Sequence, residues 1–521
     1  MVRRVAVIGA GISGLAATKC CLEEGLEPIC FESSEDIGGL WRIAVSERVS
    51  VYHSIISNTS KEMSCFSDFP FPEDFPSFLT HSLFLEYLRM YAQHFQLLKH
   101  IRFKTTVISV RKRPDFAISG QWDVVTETEG IQESHVFDAV MVCTGNFQTP
   151  HLPLASFPGI ETCFRGQYFH SLEYKDVAAF RGKRVLVVGL GNTACDIAVD
   201  MSHVAAKVFL SARSSTWIFS RLANHGFPWD MVTNTRFKHL LEWLLPSAVM
   251  RKIKIWKLNS WFNHEIYSLA SARRHTPLAS LPSTTLVGKS NVKEFTETSA
   301  IFEDGTTEEN IDVVIFATGY NFSFPFLEES VRNSLKSNST LYKCVFPPQL
   351  ERPTLAVIGL IKLTGSVMVG AEIQARWAAG VFAGACKLPP SSKMMAEVSK
   401  NQLNPSAKQV LRFNFISYTS EIASYAGVKP NMLWLLLTDP RLALAVFFGP
   451  CTSYQYRLTG RGQWSGARAA ILTQWQRVLK PLRTRVLEDG VSNPFSMEKG
   501  CFSLSLFGYW SQLSELLEAL F

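Results

Sequence analysis

The sequence predicts an α/β protein built from two interleaved parallel-sheet units, and three observations carry that expectation. A short apolar run, a glycine-rich turn and a helical pattern occur in succession near the N-terminus, RVAVIGAGISGLAA, and again from Lys183, KRVLVVGLGNTA. Two further segments, VFDAVMVCTGN and NIDVVIFATGY, look like each other, each a buried-looking strand ending in a Thr-Gly turn at Thr144-Gly145 and Thr318-Gly319, as expected where a chain crosses between two such units. Finally, 521 residues, 47% hydrophobic and 19% charged, are globular in composition and too many for one compact core.

Composition excludes several classes. The net charge of +7 comes with no run of Lys and Arg, which argues against a nucleic-acid partner and fits a site attracting anions such as a phosphate-rich cofactor. The eleven cysteines form no CxxC pair and no zinc-like spacing, so reduced, cytosol-facing thiols and no metal site are expected. The glycine turn begins after eight residues, leaving no room for a secretory signal.

Taken in order, Arg4–Ile8 is a β-branched strand entering Gly9-Ala10-Gly11-Ile12-Ser13-Gly14, and Leu15 continues into a helix. Gly9 permits the tight turn, Gly11 lets backbone approach a pyrophosphate, Gly14 allows close helix–strand packing, and the helix N-terminus offers N–H groups to phosphates. This is a Rossmann-like dinucleotide fingerprint. The next strand, EPICFE, ends in Glu32, 23 residues past Gly9, where a carboxylate accepts hydrogen bonds from a ribose. Gly38-Gly39 before Leu40 and Trp41 suits backbone passing close to a flat ligand, although a simple turn reads the same way. Together these features resemble the FAD-binding half of flavoproteins with two dinucleotide domains, which implies FAD against Gly9, Gly11, Gly14, Glu32, Gly39, Leu40 and Trp41.

The second fingerprint, Gly189-Leu190-Gly191-Asn192-Thr193-Ala194, has alanine in third place, where only close packing is required. Gly189, Gly191, Asn192 and Thr193 are its candidate cofactor contacts. The following strand, KVFLSAR, ends in Arg213 rather than an acid. A guanidinium there pairs with a 2′-phosphate and selects NADPH over NADH; without the fingerprint it would be an ordinary surface arginine.

Directly before this unit lies FRGQYFHSLEY, with Phe164, Gly166, His170 and Tyr174 in the pattern FxGxxxHxxxY. With NTSKEM, GQWDVVTE, FTETSAIFEDGT, FATGY, LTDP, FGPC and ILTQW, it resembles the flavin-containing monooxygenases of the N-oxide-forming type over nearly the whole chain. The resemblance implies that NADPH reduces FAD, that molecular oxygen gives a C4a-hydroperoxyflavin guarded by retained NADP+, and that a small-molecule amine or sulfide captures the oxygen, as in xenobiotic metabolism. Asn58, with Thr59 beside it, matches the asparagine this family places by the flavin and nicotinamide, and its amide can both donate and accept. Asn58-Thr59-Ser60 is equally a glycosylation sequon and a helix N-cap string with Glu62 following. His170 fits a brace at the domain junction as well as proton chemistry. Related Baeyer–Villiger enzymes end the motif in Trp, often followed by Pro; Tyr174-Lys175 favours heteroatom oxygenation.

The expected organisation is an FAD-binding domain from residues 1–154 and 325–450, and an NADPH-binding domain from 155–213 and 290–324. An aromatic-rich helical insertion, 214–289, serves substrate access or membrane contact; 451–494 is a packing segment and 495–521 an amphipathic tail. In that tail Leu513, Leu516, Leu517 and Leu520 share one helical face, which suits a C-terminal membrane-associated helix lying on a surface. The resemblance places the protein on the cytosolic side of the endoplasmic reticulum membrane, attached monotopically; self-association is left open. Relative to the family, Trp41–Tyr52 and Ser271–Leu286 read as shortened, and Gly145-Asn146 replaces another pair. A weakly coupled NADPH oxidase, a Baeyer–Villiger-type oxygenase and a non-catalytic paralogue are therefore alternatives.

Overall fold

A computed structural model describes residues 2–43, 49–213, 216–223, 226–259, 274–277, 286–335, 338–402 and 412–482. The N-terminal segment supplies β1 (Arg4–Ile8), β2 (Glu27–Phe31), β3 (Ile101–Arg102), an antiparallel meander of β4 (Thr105–Lys112), β5 (Trp122–Thr128) and β6 (Ile131–Phe137), and then β7 (Ala139–Val142). β8 (Thr149–Pro150) leads to β9 (Gln167–His170), β10 (Arg184–Val188) and β11 (Lys207–Ser211). β12 (Thr216–Phe219) pairs with β13 (Arg274–Pro277). β14 (Leu286–Lys289) precedes a small antiparallel sheet of β15 (Val292–Phe295), β16 (Ala300–Phe302) and β17 (Thr307–Glu308). β18 (Val313–Phe316), β19 (Tyr320–Asn321) and β20 (Leu355–Val357) complete the strands used below.

Two parallel five-stranded sheets result, in the orders β20-β7-β1-β2-β3 and β14-β11-β10-β18-β9. β20 pairs with β7 although the whole second sheet lies between them in sequence. The chain leaves the first unit through β8 and returns through β19, and these two strands pair antiparallel.

The apolar runs of the sequence become strands covered on both faces, as parallel sheets require. In β1, Val5 and Val7 face one core with the helix Ile12–Glu23, while Ala6 and Ile8 face another shared with Val110, Trp122 and Phe137 of the meander. In the second sheet Val185, Val187, Val313 and Ile315 pack with Ala194, Ile197 and Met201, and Leu186, Val314 and Phe316 with Phe164 and Phe295. Full burial of each larger apolar side chain contributes about 1.5–3 kcal/mol.

One buried feature has no counterpart in the sequence reading. Arg457, its side chain 1% exposed, pairs with Glu23 at 2.8 Å, Asp68 at 2.9 Å and Glu372 at 3.3 Å, and Lys19 bonds both Glu23 and Asp68. These charges pin the C-terminal part of the chain to the first helix, and each needs the others to remain buried.

The 214–289 region contains helices at Trp229–Thr233, Arg236–Leu244 and Ser247–Asn259, and also the strand pair β12–β13, which the expectation of a helical insertion did not include. Trp261, Phe262, most of Ser271–Leu286, the middle of Trp41–Tyr52 and the tail 495–521 lie outside the described residues. No helix among the described residues is long and apolar enough to cross a membrane. The ten cysteines described are all free, and no cluster of potential metal ligands occurs among the described residues.

Candidate active site

The first glycine turn is enclosed by a second stretch of backbone. Gly9, at φ +99°, donates its N–H to the Phe31 carbonyl at 2.8 Å and turns the chain off β1. Gly14 sits so close beneath it that a Cβ would stand 1.7 Å from the Gly9 carbonyl oxygen. Across the turn, the Gly38 N–H donates to Ala10 O at 3.1 Å, and a Cβ on Gly39 would lie 3.1 Å from the Gly11 Cα. Glu32, buried at the end of β2, accepts from the Ala10 N–H at 2.8 Å and from the Ser34 N–H and hydroxyl at 2.8 and 2.7 Å. Leu40 and Trp41 form a short helical turn after Gly39, where Trp41 stacks on Phe84 with ring centroids 3.9 Å apart. The indole thus holds the Gly38–Trp41 segment down over the turn.

The second turn has the same start, and among the described residues none crosses it. Gly189, at φ +129°, donates to Ser211 O at 2.8 Å. Ala194 occupies the third position fully buried. Gly191 and Asn192 are exposed, Thr193 is half-buried, and a Cβ on Gly191 would meet nothing within 4 Å. Arg213 stands exposed just beyond β11. The Thr-Gly turns line open space too, with nothing within 4 Å of a Cβ at Gly145 or Gly319. Both cradles therefore fit a dinucleotide: backbone N–H groups at a helix start, room for phosphates, and a carboxylate in one and a guanidinium in the other at the ribose end.

The cluster Phe164–Tyr174 is a structural joint. Gln167–His170 forms β9, the edge strand beside β18, and Gly166 is required because a Cβ would meet Asp312 O at 2.7 Å. Phe164 is buried against Phe295. His170 uses both ring nitrogens: Nε2 lies 2.9 Å from Gly319 O, and Nδ1 accepts the Leu172 N–H at 3.1 Å. That pattern assigns the neutral Nε2–H tautomer, and burial pushes the imidazole pKa down. Tyr174 donates to Asp200 at 3.0 Å.

Residues 50–60 form the seam between the two units. Tyr52 donates to Asp196 at 2.6 Å and Ser54 bonds Asp200, both on the helix Asn192–Ser202. Lys175 donates to the Ser50 hydroxyl at 2.9 Å, and its carbonyl accepts the His53 N–H at 3.1 Å. At Asn58 the seam meets Arg221, whose Nη2 donates to Asn58 Oδ1 at 2.9 Å and whose Nε donates to Ser57 O at 3.1 Å. Guanidinium nitrogens only donate, so the amide is oriented with its oxygen to Arg221 and its NH2 kept as a donor. Thr59 pairs with Ser64 at 2.5 Å. Ser60 does occupy the N-cap position of the helix Lys61–Ser64, but its hydroxyl goes to Asp230 at 3.1 Å instead of capping. Sequence reasoning missed Arg221 and Asp230, which lie 163 and 170 positions from their partners and carry no local signal.

Two parallel sheets, each with a glycine turn at a strand end and joined by a hydrogen-bonded seam, define a protein with two dinucleotide sites. The chain matches the family described as Flavin-binding monooxygenase-like over residues 2–510 and belongs to it. It is 54% identical to the N-oxide-forming dimethylaniline monooxygenase 2 of Rattus norvegicus, over 95% of this chain and 96% of that protein. It is 53% identical to flavin-containing monooxygenase 2 of Homo sapiens, over 98% and 97%. Among solved structures, S-allyl-L-cysteine S-oxygenase from Allium sativum shares the fold with a TM-score of 0.65 at 22% identity, over 92% of this chain and 99% of that one. Cyclohexanone monooxygenase from Rhodococcus sp. Phi1 bound to NADP+ does so with 0.55 at 17%, over 85% and 99%. Family membership makes FAD and NADPH the cofactors of this chain.

Proposed function

We propose that the protein uses NADPH and O2 to transfer one oxygen atom to a soft nucleophilic nitrogen or sulfur of a small amine or sulfide. Bound FAD supplies the oxygen activation, so the chain's own work is to bind, orient and exclude water. The observation that carries the reading is the fixed Asn58 amide, set by Arg221 as a donor on the seam between the cradles. A preorganised donor in a water-poor site is worth about 2.7–4 kcal/mol when removed. The enclosed turn at Gly9–Gly14 suits FAD, and the open one at Gly189–Ala194 with Arg213 suits NADPH. Tyr174-Lys175 favours heteroatom oxygenation over ring insertion, and His170, with both nitrogens engaged, acts as a brace. The test is Asn58→Leu: the variant is expected to stay yellow and be reduced by NADPH, yet to release hydrogen peroxide in place of oxygenated product. Full oxygenation without extra peroxide removes Asn58 from the mechanism.

The same reading places the protein on the cytosolic face of the endoplasmic reticulum membrane, with the tail 495–521 as one attachment. Supporting it, Leu433, Trp434 and Leu437 on the helix Met432–Thr438 are 76%, 59% and 80% exposed, as is Trp243 at 76% on Arg236–Leu244, with Lys429 and Arg441 exposed beside them. Aromatic and aliphatic tips rimmed by cations suit an anionic lipid surface. Leu437→Glu is expected to weaken flotation with anionic vesicles while leaving FAD bound; unchanged flotation rejects this face as the contact.

A further inference from the structure

Asp230 is a buried carboxylate held in a manner that structure alone does not explain. It is 9% exposed, at the start of the helix Trp229–Thr233, and its Oδ2 accepts the Ser60 N–H at 2.7 Å and the Ser60 hydroxyl at 3.1 Å. Its Oδ1 makes no hydrogen bond of full geometry among the described residues, although the Asp230 and Met231 N–H groups at the helix start lie close enough to favour the charged form. Among the described residues no cation pairs with it. The helix Lys61–Ser64 packs against Trp229–Thr233, but Lys61 donates to the carbonyls of Glu73 and Phe75, and Glu62 is paired with Arg477 at 2.6 Å. Arg221 is bonded to the Asn58 loop. Desolvation accordingly pushes the Asp230 carboxyl up to about 6.

A carboxylate buried without a counter-charge costs stability at neutral pH, and a functional role would offset that cost. The geometry offers one. The Trp229 N–H donates to Arg221 O at 2.8 Å, so Arg221 and Asp230 are tied through the backbone. They grip the seam at two places, Ser57–Asn58 and Ser60.

We propose that Arg221 and Asp230 are positioning residues that clamp the Asn58 loop from the second unit, Arg221 fixing which end of the amide donates and Asp230 fixing the backbone at Ser60. The fate of activated oxygen is thereby set by the 214–289 segment and not by the flavin-binding unit alone. This inference rests on the role assigned to Asn58 above.

The expected consequences separate a clamp from mere packing. Holoenzyme of Asp230→Asn should retain FAD and a KM for NADPH within about twofold of the parent, while the share of consumed NADPH appearing as peroxide rises severalfold. Arg221→Met should raise it similarly, and adding Arg221→Met to Asn58→Leu should raise it no further, because both act through one amide. A readout independent of turnover is thermal unfolding of the holoenzyme against pH. A folded-state pKa raised from 3.8 to about 6 gives stability that is full below about 3.8 and lost as pH rises through about 6. Asp230→Asn removes this loss, so the folding equilibrium of the variant relative to the parent should improve by up to about a hundredfold between pH 4 and pH 8, the two-unit shift expressed as a ratio. If Asn58→Leu leaks peroxide but Asp230→Asn and Arg221→Met do not, the clamp is refuted while the assignment of Asn58 stands. If Asn58→Leu does not leak, the assignment itself fails. A pH-independent stability difference for Asp230→Asn also refutes the clamp, because it would show the carboxylate is not held charged without a partner.

Discussion

The two glycine cradles begin with the same turn and differ in everything laid over it. Beneath the first, helix and strand touch so closely that Gly14 has no room for a single methyl group, and Gly38–Trp41 closes the far side under the stacked Trp41–Phe84 pair. In the second, Ala194 fits as a real side chain, Gly191 has no described atom within 4 Å of an added Cβ, and the far end carries the exposed guanidinium of Arg213. One motif therefore makes either a socket or a dock, according to whether other chain crosses the pyrophosphate position. The socket suits a cofactor kept through many turnovers, and the dock one that exchanges.

Substitutions can break this contrast, starting with the largest effect. Gly14→Ala puts a methyl carbon into the Gly9 carbonyl; we expect colourless or insoluble protein, read from the ratio of flavin to protein absorbance. Ala194→Gly should cost only the helix penalty of about 1 kcal/mol and leave the protein yellow. Arg213→Ala comes next. Loss of a charge-assisted hydrogen bond worth about 1.5–3 kcal/mol weakens NADPH by about 10- to 100-fold, with NADH unchanged in the same steady-state assay. Equal losses for both nucleotides would put the 2′-phosphate elsewhere. The smallest effect belongs to Gly191→Ala. No atom of the described residues resists it, so stability should stay within about 0.5 kcal/mol, while the KM for NADPH rises because backbone must approach the pyrophosphate there. An unchanged KM would mean that the dock is not used as drawn.

What was legible in the sequence follows from the range of the forces involved. β1, β2, β7, β10, β11 and β18 stand where RVAVI, EPICF, AVMV, RVLVV, KVFLS and VVIF predict them, because strands buried on both faces need unbroken apolar runs and their turns need glycine. β9 escaped because QYFH has neither a run nor an alternation; its place is fixed by Gly166 meeting Asp312, a contact between distant residues. Arg457, Arg221 and Asp230 escaped for the same reason. A charge reads as solvated surface in sequence, and only the fold reveals that Arg457 is 1% exposed among three carboxylates. Asn58 was legible through its surrounding motif, but the orientation of its amide required Arg221.

The order of synthesis gives the pairing of β20 with β7 a further meaning. As the chain leaves the ribosome, β1, β2, β3 and β7 are available early, yet the neighbour of β7 and the helix Val367–Phe382 that packs on the first helix arrive only after the entire second sheet has been made. The inserted unit is contiguous and can close on its own as it emerges, whereas the first-begun unit waits with an unpaired strand edge and an uncovered helix, the kind of surface that chaperones recognise. Nascent chains halted before Leu355 should therefore be protease-resistant in the segment 155–324 and sensitive in 1–154, and flavin capture becomes one of the last events in the birth of the protein.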